Sequence, residues 1–440
     1  MLVSLVLLLS ACGTDKVASL PRTPTSAPVL PTLPHTAEGS LATPATSTRQ
    51  AGPTPTELPE TVLIWWPAAL YPVNGSPAEQ ILTEQLDEYR LANGKTITLR
   101  VKRNDGLGGI YETLRSGSVA APSVMPDLAL MRRDDLVQAV SSKLVEPVDS
   151  DALAVDDLYA SGLALGKING VQYGIPYSLE IEHAAYRSTA LTNPPHTLDD
   201  LIATGQTYLF PAGVTKGVNT ALLAQYISAG GRIADEKGTR ILDVDPLRTV
   251  LHYYEQAVAA KLAGPSLLDY TSPTQYWPLL TGGKTNMVQV NSTMFLAQHA
   301  ALPAVNAAPL PLPSNTIVTP LNGWLWVVTT TNVDRQTRAL DVLAWLLRTD
   351  HQGQFTQTLG VLPSRRSALA SWVNIGSNDN ETSYAKFAGS LLEQVAAPPT
   401  DTIDPDVAAA LQKAFEDVIS ARKSADTAAN DAVTQISQSK

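Results

Sequence analysis

Short apolar segments alternate with helical segments between residues 62 and 130, and this alternation constrains the fold most. Residues 62–65 and 128–130 are apolar at every position, which is typical of strands buried on both faces. Residues 96–101 alternate between apolar and polar side chains and predict a further strand. The tetrapeptide Ser-Pro-Ala-Glu at 76–79 predicts a helix start, since it combines a capping box with proline at the first helical position. This order predicts a parallel α/β sheet.

The predicted sheet also indicates where a ligand would bind. Ligands of open α/β sheets bind beyond the carboxyl ends of the strands. This rule puts Trp65, Trp66 and residues 132–134 at the expected ligand edge. At 440 residues, the chain is longer than one hydrophobic core usually organises, so we expect two lobes.

Composition argues against several classes of function. The formal net charge is −10 and there is no basic stripe, so no nucleic-acid partner is expected. The only cysteine is Cys12, and the six histidines lack metal-binding spacing, so neither a disulfide framework nor a metal site is expected. Serine-nucleophile, P-loop and dinucleotide-binding motifs do not occur in the sequence. We therefore predict a protein that is not an enzyme and needs no cofactor.

The N-terminal segment predicts export and lipid attachment. Residues 1–9 are apolar except for Ser4 but too few to span a bilayer, which needs about 20 apolar residues, so we interpret them as part of a signal peptide. The tetrapeptide Leu-Ser-Ala-Cys at 9–12 resembles a bacterial lipobox, which implies cleavage before Cys12 and lipidation of its thiol. Residues 13–60 are rich in proline, threonine, serine and alanine. This composition predicts a disordered tether, because it buries too little apolar area to fold.

Several short motifs follow one another along residues 61–370. They are the opening strand with Trp65, Pro126-Asp127, the run Lys-Ile-Asn-Gly-Val-Gln-Tyr-Gly-Ile-Pro-Tyr at 167–177, Pro-Pro-His-Thr-Leu at 194–198, Gly-Gly-Lys at 282–284, Leu-Pro-Leu-Pro at 310–313, Asn-Gly-Trp at 322–324 and Gly-Val-Leu-Pro-Ser at 360–364. Each motif is weak alone, but in this order they make the chain resemble family 1 of the bacterial extracellular solute-binding proteins, the group that includes maltose-binding protein.

The resemblance implies a two-lobed, type II periplasmic-binding-protein fold. In this fold, hinge segments connect two α/β lobes and the ligand binds in the cleft between them. The resemblance assigns residues 61–175 and 292–360 to the first lobe, and residues 176–291 and 361–440 to the second. Receptors of this kind close around their ligand by a hinge motion.

A sugar is the ligand that the resemblance favours. Sugars present apolar C–H faces and a rim of hydroxyl groups, so their sites need flat aromatic surfaces and a few polar side chains. Glu180 stands where the resemblance implies a ligand-binding carboxylate, and Trp324 matches a motif whose aromatic side chain reaches the cleft. A place in the core is the alternative for Trp65. The full set of candidate ligand-binding residues is Trp65, Trp66, Arg132, Asp134, Tyr177, Glu180, Trp277, Asn291 and Trp324.

The resemblance also implies partners and a location. The protein would be a lipid-anchored monomer on the outer face of the cytoplasmic membrane, and it would deliver a small-molecule ligand to the permease pair of an ABC importer. Asn291 stands where the family usually has a stacking aromatic, so the ligand stays open, with glycerol phosphate and polyamines as alternatives to a sugar. A ligand-sensing or adhesion lipoprotein of the same fold is the alternative function.

Overall fold

The structure is a computed structural model that describes residues 61–438 except 122–123, 150–152 and 376–378, and it leaves the side chains of residues 373–383 undescribed. The predicted signal peptide, Cys12 and the tether therefore lie outside the described residues. The strands are β1 (Thr61–Pro67), β2 (Thr96–Lys102), β3 (Leu128–Met131), β4 (Lys167–Ile168), β5 (Val171–Gln172), β6 (Gly174–Arg187), β7 (Tyr208–Leu209), β8 (Met287–Asn291), β9 (Val305–Ala308), β10 (Val318–Thr319), β11 (Leu321–Val328), β12 (Leu362–Pro363) and β13 (Val395–Ala396).

Helices separate most of these strands along the chain. They are α1 (Pro77–Asn93), α2 (Ile110–Ala120), α3 (Arg133–Ser141), α4 (Ala160–Leu165), α5 (Leu198–Thr204), α6 (Thr220–Ser228), α7 (Val244–Ala259), α8 (Trp277–Thr281), α9 (Ser292–His299), α10 (Val333–Leu346), α11 (Thr349–Leu359), α12 (Arg366–Ile375), α13 (Asp379–Leu392), α14 (Pro405–Ile419) and α15 (Ala425–Gln438). In the described part of the chain, no helix is long and apolar enough to cross a membrane.

The α/β order predicted for the N-terminal part is confirmed. β1 pairs in parallel with β2 on one side and with β3 on the other, where Trp65 stands opposite Ala129. Helix α1 begins at Pro77, and the hydroxyl of Ser76 accepts a hydrogen bond from the backbone N–H of Glu79 at 3.3 Å, as the capping motif predicts. Helices α1 and α2 are therefore the crossover connections between these parallel strands.

One long strand, β6, joins the two halves of the main sheet. Its first half pairs antiparallel with β11, and β11 pairs with β3, so this half completes the sheet of the first lobe. Its second half, residues 182–187, pairs with β8 and β9, and β7 pairs with β8 in the second lobe. The architecture is therefore the two-lobed α/β fold that the resemblance predicts.

The pairing of β9 concerns one part of the predicted division between the lobes, residues 292–320. The sequence-based division puts residues 292–360 in the first lobe, but β9 pairs with residues 184–187, in the half of β6 that also pairs with β8. The chain returns to the first half of the sheet after Pro320, whose carbonyl oxygen accepts a hydrogen bond from the N–H of Glu182 at 3.0 Å. We therefore propose that residues 292–320 belong to the second lobe. The other predicted boundaries stay a prediction.

Clusters of buried apolar side chains cover both faces of the main sheet. The first cluster packs the strands of the first lobe against α1, α10 and α11 and includes Trp66 and Trp326. The second packs the second lobe against α6, α7, α14 and α15. A third contains side chains from both halves of the sheet, among them Ala129 and Val290, together with α13. This third cluster packs around the middle of β6, because it includes Leu179 and Ile181 of that strand.

Candidate ligand-binding cleft

Two neighbouring cavities open where the halves of the sheet meet. Both are lined by Arg132, Asp134 and Glu180, three of the predicted ligand-binding residues. The hinge cavity, of ≈ 280 Å³, also includes Arg133, Glu182, Thr220, Asn322 and Asp401. The tryptophan cavity, of ≈ 370 Å³, also includes Asn104, Asp105, Asp135, Ser178, Thr293 and Trp324. Together they have the volume of a small-molecule site, and we call the pair the cleft.

Strand register brings the polar side chains of β6 and β11 to the cleft. Glu180 stands opposite Asn322, and Ser178 stands opposite Trp324. Opposed residues share a face of the sheet, as do residues two apart on a strand, so all four side chains lie on the cleft side. Gly323 makes this pairing possible, because a Cβ there would lie 2.6 Å from the carbonyl oxygen of Ser178.

Arg132 and Asp134 come from the turn between β3 and α3. Arg132 has extended backbone and occupies the N-cap position of α3, where its side chain makes no capping hydrogen bond. Asp134 lies in the first helical turn. The partial positive charge of a helix N-terminus favours a carboxylate at such a position. Because β3 runs parallel to β1, this turn stands at the carboxyl edge of the parallel strands, where the sequence places residues 132–134.

Arg132 connects the two side chains that the sequence favours most for sugar binding. Its Nη2 donates a hydrogen bond to Oε1 of Glu180 at 3.2 Å. Its guanidinium carbon lies 5.2 Å from the centre of the Trp324 ring, within the range of a cation–π contact. The Arg132 and Glu180 side chains keep 31% and 19% of their surface exposed, so a ligand entering the cleft can reach both.

A second ion pair closes one side of the hinge cavity. Nε of Arg133 lies 2.9 Å from Oδ1 of Asp401, and Nη1 of the same arginine donates to the carbonyl oxygen of Leu165 at 2.5 Å. Arg133 begins α3 in the first lobe. Asp401 follows β13, which pairs with β10 upstream of Pro320 and hence in the proposed second lobe. With this proposed division, the pair would join the two lobes across the cleft.

Glu182 is a partly buried carboxyl that lines the hinge cavity. It accepts hydrogen bonds from the hydroxyl of Thr220, at 2.6 Å, and from the amide of Gln289. Burial raises the pKa of Glu182, the charge of Glu180 adds to the rise, and the two hydrogen bonds oppose it. Because both hydrogen bonds go to Oε2, we expect this oxygen of Glu182 to hold the shape of the cavity.

The structure corrects the expectation for Trp66 and Tyr177. Both side chains are fully buried in the first-lobe core, with Trp326 and Phe355, and their ring centres lie 5.7 Å apart in an edge-on contact. The indole N–H of Trp66 donates to the carbonyl oxygen of Leu70 at 3.0 Å, so this polar group has its partner inside the core. The reason is that both strands are interior: β1 lies between β2 and β3, and β6 pairs with β11 and β12. Side chains of α1, α10 and α11 cover the face that carries the two rings.

Trp65, Trp277 and Asn291 do not line the cleft either. Trp65 is 2% exposed and packs on the opposite face of β1 from Trp66, with Lys102 Nζ 4.4 Å from its ring centre. Trp277 is 7% exposed and begins α8 inside the third cluster. Asn291 caps α9, where its side-chain oxygen accepts a hydrogen bond from the N–H of Met294 at 2.8 Å. The structure therefore brings together Arg132, Asp134, Glu180 and Trp324 from the predicted set.

Sequence reasoning missed four acidic residues that line the cleft. Asp135 follows a predicted residue directly, and Glu182 lies two residues from Glu180 on the same strand face, so alternation along β6 could have found it. Asp105 follows β2 at the predicted ligand edge. Asp401 is 268 residues from its partner Arg133, and nothing in its local sequence indicates the contact.

A buried histidine behind the cleft makes stability depend on pH. His183 is fully buried on β6, with Nδ1 3.0 Å from the carbonyl oxygen of Ala184 and Nε2 2.9 Å from the hydroxyl of Tyr384. Burial lowers the pKa of His183 to about 4. The ordinary histidine pKa, which the unfolded chain keeps, is about 6.5. Between these values the unfolded chain binds the proton more readily than the folded chain does.

We therefore expect the free energy of unfolding to fall as the pH is lowered from 6.5 to 4. His183 should account for about 2–3 kcal/mol of that fall. Urea unfolding across this range measures it. The His183→Gln variant should show a flatter pH dependence, whereas His196→Gln, at an exposed histidine, should follow the wild type. Identical pH dependence in the wild type and His183→Gln would contradict the assignment.

Comparison with known proteins identifies the family of the chain and shows other proteins with the same fold. A sequence model of the bacterial extracellular solute-binding proteins matches residues 85–388, more than half of the chain. The cyclic α-maltosyl-1,6-maltose binding protein of Arthrobacter globiformis is similar in structure, with a TM-score of 0.67 and 19% identity over 86% of this chain and 98% of that one. No curated protein sequence matches the chain.

Two further solved structures have the same fold. The sugar-binding protein MalE of Xanthomonas citri gives a TM-score of 0.65 at 16% identity, covering 86% of this chain and 96% of that one. Maltose-bound MalE3 of T. maritima gives 0.62 at 14% identity, covering 86% and 100%. These structures confirm the predicted fold, and the family match confirms the resemblance and implies an extracytoplasmic location. The chain belongs to the bacterial extracellular solute-binding protein family.

Proposed function

We propose that this protein is a carbohydrate receptor that binds a sugar in the cleft. The observation that carries the proposal is the proximity of Trp324 and Glu180, an aromatic ring and a carboxylate joined through Arg132. The C–H face of a sugar can stack on the ring while its hydroxyl groups donate to the carboxylate. The similar structures support a sugar as the ligand, because two of them are described as binding cyclic maltosyl-maltose and maltose.

Binding would be coupled to closure of the lobes. The cleft is lined by Arg132 and Asp134 from the first lobe and by Thr220 and Asp401 from the second. A ligand that contacts both sides binds the closed form more tightly than the open form, and this difference in affinity shifts the population toward the closed form. No chemical change of the ligand is needed for this cycle.

Delivery and anchoring complete the proposal. We propose that the protein is a monomer held to the outer face of the membrane through lipid on Cys12, and that it passes its ligand to the permease pair of an ABC importer. The lipobox-like segment at 9–12 and the family support this role. Labelled palmitate should be incorporated into the wild type but not into Cys12→Ser. Equal labelling of both proteins would contradict the anchor.

A thermal-shift screen of the purified protein tests the choice of ligand. The panel contains glucose, maltose, cellobiose and their longer oligomers, with spermidine, glycerol 3-phosphate and amino acids as non-sugar compounds. A ligand present at about 100 times its Kd stabilises the folded state by about 2.7 kcal/mol, so it raises the melting temperature measurably. We expect one class of sugar to do so. A shift with the non-sugar compounds alone would overturn the carbohydrate assignment.

A further inference from the structure

Three aspartates in the tryptophan cavity have no hydrogen-bond or ion-pair partner for their side chains among the described residues. Asp134 and Asp135 belong to the first turn of α3, and Asp105 follows β2. We call these three residues the aspartate cluster. Burial, with smaller contributions from the charges of Asp134 and Asp105, raises the pKa of Asp135 to about 6. A positive charge placed among these carboxylates would relieve their mutual repulsion.

The protein's own basic groups in the cleft are engaged elsewhere. Arg132 pairs with Glu180 at 3.2 Å, and Arg133 pairs with Asp401 at 2.9 Å. These two arginines are the only basic side chains among the described residues that line either cavity. The cleft therefore presents more negative than positive charge, and the excess lies at the aspartate cluster.

A cation of the protein itself lies near the Trp324 ring, next to this cluster. The guanidinium of Arg132 lies 5.2 Å from the ring centre of Trp324 while it pairs with Glu180. This contact is independent of the aspartate cluster, and it shows that ring and carboxylate together hold a positive charge within the cavity. An ammonium group on a ligand is also a positively charged N–H donor, so it suits the aspartates beside Arg132.

We propose that the cleft prefers amino sugars, in which an ammonium group replaces a hydroxyl, over neutral sugars of the same size. The inference rests on the proposed carbohydrate receptor function and names the substrate class of that site. The sugar ring stacks on Trp324, and the ammonium group binds at the aspartate cluster. Sugars that carry a carboxylate or a phosphate are repelled by the same charges.

Calorimetric titration of the full chain with matched sugars tests this preference. The pairs are glucosamine and glucose, galactosamine and galactose, and the β-1,4-linked glucosamine disaccharide and cellobiose, with spermidine as a cation that is not a sugar. We expect the amino member of at least one pair to bind about tenfold more tightly or better near pH 6.5. The ratio should shrink as the salt concentration is raised, because salt screens the charges of exposed aspartates.

Two variants test whether the aspartate cluster causes the preference for amino sugars. The double variant Asp134→Asn/Asp135→Asn should bring the affinity ratio of each pair close to one. Glu84→Gln removes an exposed acidic charge of α1 that lines neither cavity, so it should keep the ratio of the wild type. Asparagine is well accepted near a helix N-terminus, so the double variant is expected to fold.

The outcomes separate this inference from the proposed function. Equal or tighter binding of the neutral members would overturn the amino-sugar preference and leave the carbohydrate receptor standing. An unchanged ratio in the double variant would also overturn it, because the preference would then arise elsewhere. Binding of spermidine with none of the sugars would overturn the amino-sugar preference, and it would overturn the carbohydrate function if the thermal-shift screen also finds no sugar. If none of these compounds binds, the amino-sugar preference is wrong, and the thermal-shift screen, which also contains maltose and longer oligomers, decides the carbohydrate function.

Discussion

Replacing Trp324 with alanine is expected to weaken binding of the sugar found in the thermal-shift screen by about a hundredfold, or ~2.7 kcal/mol. Among the described residues that line the cleft, Trp324 is the only aromatic side chain. It is half-buried, so its ring is held by the first-lobe core at one side and faces the cavity at the other. No neighbour could replace its flat apolar surface against a sugar ring. Calorimetric titration measures the loss.

The Trp324→Phe variant is the matched control. Phenylalanine keeps a ring at the same position on β11, so we expect it to retain most of the affinity. Circular dichroism at the titration temperature should show both variants folded, because Trp324 lies at the margin of its cluster. If Trp324→Ala binds the sugar within about threefold of the wild type, the ring does not carry the contact and the sugar lies elsewhere.

Replacing Trp66 with alanine should have the opposite result: a large loss of stability and little change in affinity. Trp66 is fully buried, and its ring centre lies 5.4 Å from that of Trp326 and 5.9 Å from that of Phe355. Truncation leaves a cavity among these rings and removes the hydrogen bond to Leu70. Such a change costs about 3–5 kcal/mol of the free energy of unfolding, measured by urea unfolding.

The two tryptophan variants control for each other. Trp66→Ala protein that remains folded at low temperature should bind the sugar with wild-type affinity, because Trp66 does not line the cleft. Trp324→Ala should lose much less stability than Trp66→Ala. If Trp66→Ala lowers the affinity and leaves the unfolding midpoint in place, the core position of Trp66 is wrong and the sequence-based expectation is restored.

Short sequence patterns were sufficient to predict β1 and the start of α1. The apolar run of β1 and the capping motif before α1 each lie within a few residues, and both appear where expected. The resemblance supplied what local signals could not, namely that hinge segments connect two α/β lobes. The pairing of β9 with residues 184–187 joins segments far apart in the chain, and it is the observation behind the proposed reassignment of residues 292–320.

The site was predicted only in part, because some of its residues lie in local motifs and others depend on contacts between distant segments. Glu180 and Trp324 lie in recognisable motifs, and strand register brings them to one face. The two tryptophans of β1 could not be assigned from sequence, because whether a strand is interior depends on both of its neighbours. β1 has β2 and β3 on its two sides, so both rings enter the core. The contact of Arg133 with Asp401 depends on the packing of the whole chain.

The most direct test of the central claim is a crystal structure of the protein with the sugar that raises its melting temperature most. The account predicts the sugar ring packed within about 4 Å of the Trp324 indole, with a hydroxyl or amino group about 3 Å from a carboxylate oxygen of Glu180. It also predicts contacts to both lobes. A sugar bound only outside the cleft, for example in the cavity lined by Phe295 and Tyr384, would contradict it.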